Sequence, residues 1–186
     1  MKKIYFLAVA VFICANTFAQ VNIDKTNEDG TRIVSSHAEN IYTNWTNAAA
    51  IRLNYYYIPE ADYSHFEISI TFNEAKMTID EGRKLLLKKK DGSIIELVNN
   101  TEIGVADYDY EVTKYGTNYY VRPDYMVTEA QIKEIIDGDI VKIRVETNLG
   151  YFDRDIKKNK LSKGLEKQYL AVLGAIALEK TVYDGF

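Results

Sequence analysis

Residues 66–72 have the sequence Phe66-Glu67-Ile68-Ser69-Ile70-Thr71-Phe72, and this strict alternation of apolar and polar side chains decides the fold. Successive side chains of an extended strand point to opposite faces, so one face of this segment is apolar and the other is polar. The same alternation recurs at residues 51–57 and 141–145. The middle of the chain therefore predicts half-buried β-strands.

A turn signal between two further segments predicts a β-hairpin. Asp91-Gly92 separates residues 85–90 from residues 93–98. Asp-Gly accepts positive φ at little cost, which suits a tight turn between antiparallel strands. Residues 30–34 predict one more strand near the start of the chain.

A second hairpin is predicted for residues 108–115 and 119–127, with Gly116-Thr117-Asn118 as its turn. Pro123 lies inside the second arm and has no backbone N–H to donate. We therefore expect that arm to lie at a sheet edge or to bend at the proline.

Two segments have helical spacing instead. Thr128 followed by Gln131 matches a capping box, and Gly138 marks the end of a short helix. A C-terminal amphipathic helix is predicted by apolar residues that recur every three or four positions, namely Leu161, Leu165, Tyr169, Val172, Leu173 and Ile176. The predicted fold class is mainly β: an antiparallel β-sandwich-like domain with one short helix and a C-terminal amphipathic helix.

The first residues predict a secretory signal peptide. Lys2 and Lys3 precede an apolar run of twelve residues, 4–15, which is shorter than the roughly 20 residues that span a bilayer. Thr17 and Ala19 fit the small-x-small site of signal peptidase, so cleavage is expected before Gln20. We predict a signal peptide at 1–19, one β-rich globular domain at 20–186, no membrane span, and a periplasmic or secreted location.

Composition excludes several classes of function. Cys14 is the single cysteine and lies within the predicted leader, so thiol catalysis, thiolate metal sites and disulfides are not expected in the mature domain. The net charge of −4 argues against nucleic acid as a partner. His37 and His65 are the two histidines, and neither lies in a recognisable catalytic or metal-binding motif. We predict no catalytic residue, no metal site and no cofactor.

Acidic residues leave one enzymatic alternative open. Asp107, Asp109 and Glu111 alternate along one predicted strand, and Asp153 and Asp155 do the same on another. Paired carboxylates perform acid–base work in glycosidases, so a carboxylate-dependent hydrolase acting on glycans is one hypothesis. The simpler interpretation is a solvated strand face, with Tyr108, Tyr110 and Val112 on the inward face.

Tyrosine is the most distinctive part of the composition, with 15 residues. Its large apolar ring and polar tip suit sugar stacking and protein interfaces, although tyrosine is also a good strand former. The candidate binding residues, all on predicted strands, are Tyr55, Tyr56, Tyr57, Tyr108, Tyr110, Tyr119 and Tyr120. The main hypothesis is an exported, non-enzymatic binding module for an unidentified protein or glycan, of unknown oligomeric state. A structural or inhibitor-like envelope protein is a further alternative.

A basic stretch precedes and enters the last predicted helix. It comprises Lys157, Lys158, Lys160, Lys163 and Lys167. A contact with anionic lipid or glycan is one interpretation of such a charged face, and simple solvation is the other.

Two segments resemble known proteins. The leader, ending in Phe18-Ala19-Gln20, is similar to precursors exported by Bacteroidetes-type bacteria. The segment from Tyr125 to Ile132, continuing into Ile140–Val145, resembles a capped helix leading into a strand in uncharacterised secreted β-rich proteins of that group. The resemblance implies an exported sandwich-like fold. It implies no activity, cofactor or catalytic residue.

Overall fold

A computed structural model describes residues 21–28, 30–44, 49–58, 63–72, 77–99 and 107–183; the predicted leader lies outside these ranges. The described chain is mainly β, with two helices, α1 (Glu129–Asp137) and α2 (Lys160–Tyr183). Its strands are β1 (Val21–Thr26), β2 (Arg32–Ser36), β3 (Glu39–Asn44), β4 (Ala49–Ile58), β5 (Tyr63–Phe72), β6 (Lys84–Lys89), β7 (Ile94–Val98), β8 (Asp107–Thr113), β9 (Gly116–Arg122), β10 (Asp124–Met126), β11 (Ile140–Thr147) and β12 (Gly150–Asp155).

The first sheet is built around the long antiparallel pair β4 and β5, and its main path runs β1-β2-β4-β5-β9-β8. β2 and β3 pair with opposite ends of β4, and β9 and β10 pair with opposite ends of β5. Pro123 lies between β9 and β10. The single strand predicted over residues 119–127 is thus divided into two at the proline, because a residue without an N–H cannot continue the hydrogen-bond ladder.

The second sheet has the strand order β12-β11-β6-β7, and all its pairings are antiparallel. The predicted Asp91-Gly92 hairpin is confirmed as the connection between β6 and β7, with Gly92 at a φ of 91°. The positive φ explains the glycine, since a side chain there would strain the backbone.

One hydrophobic core contains residues of both sheets and both helices. It includes Tyr55 and Val121 of the first sheet, Leu87 of the second sheet, Ile135 of α1 and Leu165 of α2. The capping box of α1 is confirmed: Thr128 accepts the N–H of Gln131, and Gln131 accepts the N–H of Thr128. Neither described helix is both long enough and apolar enough to cross a bilayer.

Three sequence predictions are corrected by the fold. The second hairpin turns at Lys114-Tyr115, not at 116–118, because Thr113 pairs with Gly116. Tyr110 and Val112 do not face inward, since they are 61% and 73% exposed. Leu173 of α2 is 39% exposed and lies outside the core.

The same four-residue turn occurs twice in the described chain. Thr113-Lys114-Tyr115-Gly116 joins β8 to β9, and Thr147-Asn148-Leu149-Gly150 joins β11 to β12. In both turns the threonine Oγ1 donates to the glycine carbonyl and accepts the N–H of the third residue. Both glycines have positive φ, 128° and 105°. Each of these two Thr-x-x-Gly segments therefore forms a self-contained hairpin turn.

Candidate functional site

The structure does not gather the seven candidate tyrosines into one surface. Tyr55 is 2% exposed and belongs to the core, where its ring packs edge-on against Tyr169 at 5.7 Å. Tyr57 and Tyr119 are half-buried and pack against the same core. The side chains of Tyr56 and Tyr108 lie outside the described atoms. Tyr110 is exposed and Tyr120 is half-buried, and both lie on the hairpin β8–β9.

This hairpin projects from the first sheet. Tyr110 and Val112 share one face of β8 by strand alternation, and Asp109 and Glu111 share the other. All four side chains are exposed. Val121, farther along β9, is 1% exposed and marks where the hairpin joins the core. The segment from Asp109 to the turn is therefore in contact with water on both of its faces.

The turn of the hairpin adds a third large apolar side chain. Tyr115 is 85% exposed, and the ammonium of Lys114 lies 4.8 Å from its ring centroid. Neither Tyr115 nor Val112 was among the candidate binding residues. Tyr115 directly precedes Gly116 in a Thr-x-x-Gly turn, and that spacing is the signal that would have placed it at a hairpin tip.

β8 is also an edge strand, because β9 is its only neighbour among the described strands. The backbone N–H of Tyr110 donates to the Asp109 carboxylate at 2.7 Å and not to β9. The backbone N–H and C=O of Tyr110 therefore point away from β9. Because these groups alternate in direction along a strand, those of Val112 point to the same side. An edge that is not paired with another described strand can accept another extended chain.

On the acidic face of the hairpin, a tyrosine hydroxyl is hydrogen-bonded to one of the carboxylates. The hydroxyl of Tyr120 donates to the Glu111 carboxylate at 2.8 Å, and Asp109 lies directly opposite Tyr120. The face thus presents two carboxylates beside a tyrosine hydroxyl. Such a surface attracts basic side chains.

The second acidic pair, Asp153 and Asp155 on β12, is placed differently. Arg144 donates two hydrogen bonds of 2.7 Å to Asp153, and Lys142 adds an ion pair at 2.8 Å. The hydrogen bonds from Arg144, helped by Lys142, hold the pKa of Asp153 far below its usual range. No cluster of three or more acidic, histidine or cysteine residues suited to a metal ion occurs within the described ranges.

Two of the cavities on the described surface are lined by charged residues. One, of about 580 Å³, lies between the Asp91-Gly92 turn and the end of α1, where Lys89 pairs with Glu134 at 3.0 Å. The other, of about 520 Å³, lies between β3, the end of β12 and the start of α2. It is lined by Ile41, Tyr42, Asp153, Arg154, Asp155, Lys157 and Lys160.

The chain was compared with models of protein families, with curated proteins and with solved structures, and none of these comparisons gives a match.

Proposed function

We propose that this chain is an exported, non-enzymatic binding protein that recognises an extended segment of a partner protein through the hairpin β8–β9. The observation that supports this proposal is the edge strand β8, where Tyr110 and Val112 are exposed and β9 is the only neighbour among the described strands. We further propose that the two sheets pack face to face as a sandwich, which would make the hairpin an extension of a rigid body.

The partner we propose is a polypeptide, not a glycan. A strand added to β8 would hydrogen-bond to the outward backbone of Val112 and to the carbonyl of Tyr110, whose N–H is bonded to Asp109. Such backbone hydrogen bonds give affinity without a deep pocket. Its alternate side chains would meet an apolar face on one side and Asp109 and Glu111 on the other. The fitting segment therefore alternates apolar or β-branched residues with lysine or arginine.

The hydrolase alternative finds less support in the electrostatics. A catalytic acid that works near neutral pH needs a raised pKa. Within the described part of the chain, the carboxyls whose pKa departs from the ordinary value all have a lowered pKa, namely Asp91, Glu129 and Asp153. An inhibitor-like role remains compatible with the proposed hairpin interface, since it differs only in the identity of the partner.

The binding surface can be tested with a displayed library of linear peptides selected against the domain 20–186. We expect enriched peptides with alternating basic and β-branched residues. Tyr110→Ser and Val112→Ser should each reduce the affinity for these peptides about tenfold. Binding should also slow hydrogen exchange at the amide of Val112. Tyr151→Ser is the matched control, because Tyr151 is 65% exposed on β12 of the other sheet.

Three results would count against the proposal: no enrichment of peptides, equal weakening by the Tyr151 variant, or binding of neutral glycans at the hairpin on an array. The protein for these measurements is produced from the full chain in a bacterial host. An intact mass that begins at Gln20 is the expected product, and a mass that retains residues 1–19 would contradict the proposed export.

A further inference from the structure

Arg154 is a cation on the inward face of a strand. On β12 it alternates with Phe152 and with Ile156 just beyond the strand, and both neighbours are buried. Its guanidinium carbon lies 3.9 Å from the centroid of the Phe152 ring and 5.5 Å from that of Tyr42 on β3. Two aromatic rings therefore hold the guanidinium in a fixed position, and little side-chain entropy is left for a ligand to remove.

The hydrogen-bonding capacity of Arg154 is mostly unused. Its Nη1 donates to the carbonyl of Asp153 at 2.7 Å, while its buried Nε has no hydrogen-bond partner. Arg32, Arg83 and Arg144, in contrast, all form ion pairs with carboxylates. A buried charged donor without a hydrogen-bond partner costs free energy. A ligand that supplied an acceptor to this guanidinium would therefore be favoured.

Two lysines stand at the same cavity. Lys157 and Lys160 line it together with Arg154, both are exposed, and neither forms an ion pair with a described carboxylate. The chain places them there through a tight connection: Lys158 and Asn159 adopt left-handed φ of 57° and 50°, and Asn159 accepts the N–H of Ile140. This connection holds the start of α2 against β11.

The negative charges at the cavity do not cancel these cations. Asp153 lines the cavity but is already bound by Arg144 and Lys142. Asp155 is the remaining carboxylate of the lining, which also contains the three cations Arg154, Lys157 and Lys160. The cavity is therefore locally positive in a chain whose net charge is −4.

We propose that this cavity is a binding site for a small anionic molecule, whose carboxylate, sulfate or phosphate oxygens are bound by Arg154 and flanked by Lys157 and Lys160. A planar guanidinium matches the paired oxygens of such oxyanions, and lysines add charge without fixed geometry. The volume of about 520 Å³ accommodates a group of the size of an acidic sugar. This site lies on β12 and α2, apart from the hairpin β8–β9.

The test titrates the domain 20–186 with inorganic phosphate, inorganic sulfate and galacturonate at low ionic strength, with neutral galactose as the uncharged counterpart. Saturable binding of at least one anion is expected, with a shift of the Arg154 Nε–H resonance in nitrogen–proton spectra. Arg154→Lys keeps the positive charge but removes the planar guanidinium. Loss of the resonance in this variant assigns it to Arg154, and the variant should bind the anion more weakly. The anion that binds most tightly distinguishes a carboxylate ligand from a phosphate or sulfate ligand.

Two double variants distinguish binding at this cavity from non-specific attraction of anions to the positive charge of the basic stretch. Lys157→Gln with Lys160→Gln should weaken anion binding about tenfold. Lys158→Gln with Lys163→Gln is the matched control, because it removes the same charge from the same basic stretch without touching the cavity lining. Asp155→Asn should tighten binding several-fold.

All of these lysines and Asp155 are exposed, so the variants are expected to fold, which circular dichroism checks. The proposal is overturned if none of the three anions binds saturably, if galactose binds as well as galacturonate, or if the two double variants lose equal affinity.

Discussion

Asp153 is a partly exposed residue that stabilises the pairing of β11 with β12. It stands directly opposite Arg144 in the pairing of β11 with β12, and both of its oxygens accept hydrogen bonds from that guanidinium. A bidentate pair of this kind is stronger than an ordinary surface ion pair. Because the side chain of Asp153 is 31% exposed, solvent reduces the benefit.

Asp153→Asn should lower the free energy of unfolding by about 1–2 kcal/mol at neutral pH. The pKa of Asp153 is lowered in the folded state, so its contribution is complete above the ordinary value of 3.8 and is lost as the pH falls further. Urea denaturation of wild type and variant at pH 7 and pH 3 measures this difference, which should shrink at pH 3.

Asp155→Asn is the control for that series, because Asp155 lies two residues away and has no ion pair with the described residues. Its effect on stability should stay within about 0.5 kcal/mol. A difference between wild type and Asp153→Asn that is the same at pH 3 as at pH 7 would rule out the charge interaction as the cause.

The Thr-x-x-Gly turn occurs twice among the described residues, and these two copies differ in burial. Thr147 is 4% exposed, whereas Thr113 is half-buried at the tip of the projecting hairpin. The hydrogen bonds of the Thr147 hydroxyl with the N–H of Leu149 and the carbonyl of Gly150 are partly buried, whereas those of Thr113 are exposed. The same hydrogen bonds should therefore matter more at Thr147 than at Thr113.

Thr147→Val should lower the free energy of unfolding by about 1–2 kcal/mol, because valine has the same shape but cannot form either hydrogen bond. Thr113→Val should cost roughly 0.5 kcal/mol or less, since water replaces the hydroxyl there. Thr147→Ser keeps the hydroxyl and serves as the matched variant in the same denaturation experiment. Equal losses for serine and valine at position 147 would show that packing of the methyl group, not hydrogen bonding, is responsible.

The whole described molecule is joined by contacts between the sheets and by α2. Asn99 follows β7, is 1% exposed, and forms a bridge with Tyr125 of β10 in the other sheet. Its side-chain amide donates to the carbonyls of Ile79 and Asp80. Gln168 of α2 donates to the carbonyl of His37 between β2 and β3. These links predict that both sheets unfold together.

Asn99→Ala should lower the free energy of unfolding by about 2 kcal/mol, because two carbonyls lose a buried donor. Hydrogen exchange is the measurement: the protection of Leu87 in the second sheet and Val121 in the first should fall by the same amount. Glu96→Ala, on the exposed face of β7, is the control and should have little effect. Loss of protection in one sheet alone would show that the sheets unfold as separate units.

The sequence by itself determined most of the strands and both helices of the described chain. The alternation in residues 66–72, the Asp91-Gly92 turn and the Thr128 capping box each depend on neighbours within a few positions, so local chemistry was sufficient. The strands β1 and β3 were not predicted, because each contains only two apolar residues and their alternation is weak. The turn at Lys114-Tyr115 was misplaced by two residues, because Gly116 follows that turn and does not form it.

Tertiary structure alone decided which of these side chains reach solvent. Alternation shows that a strand has two different faces, but whether a face is buried depends on what covers it. Tyr55 is covered by α2, whereas Tyr110 lies on a part of β8 that extends beyond the core, and the two have the same sequence signature. Tyr42 and Arg154 are brought together by β3 and β12 of different sheets, and no local pattern in a sequence records so distant a contact.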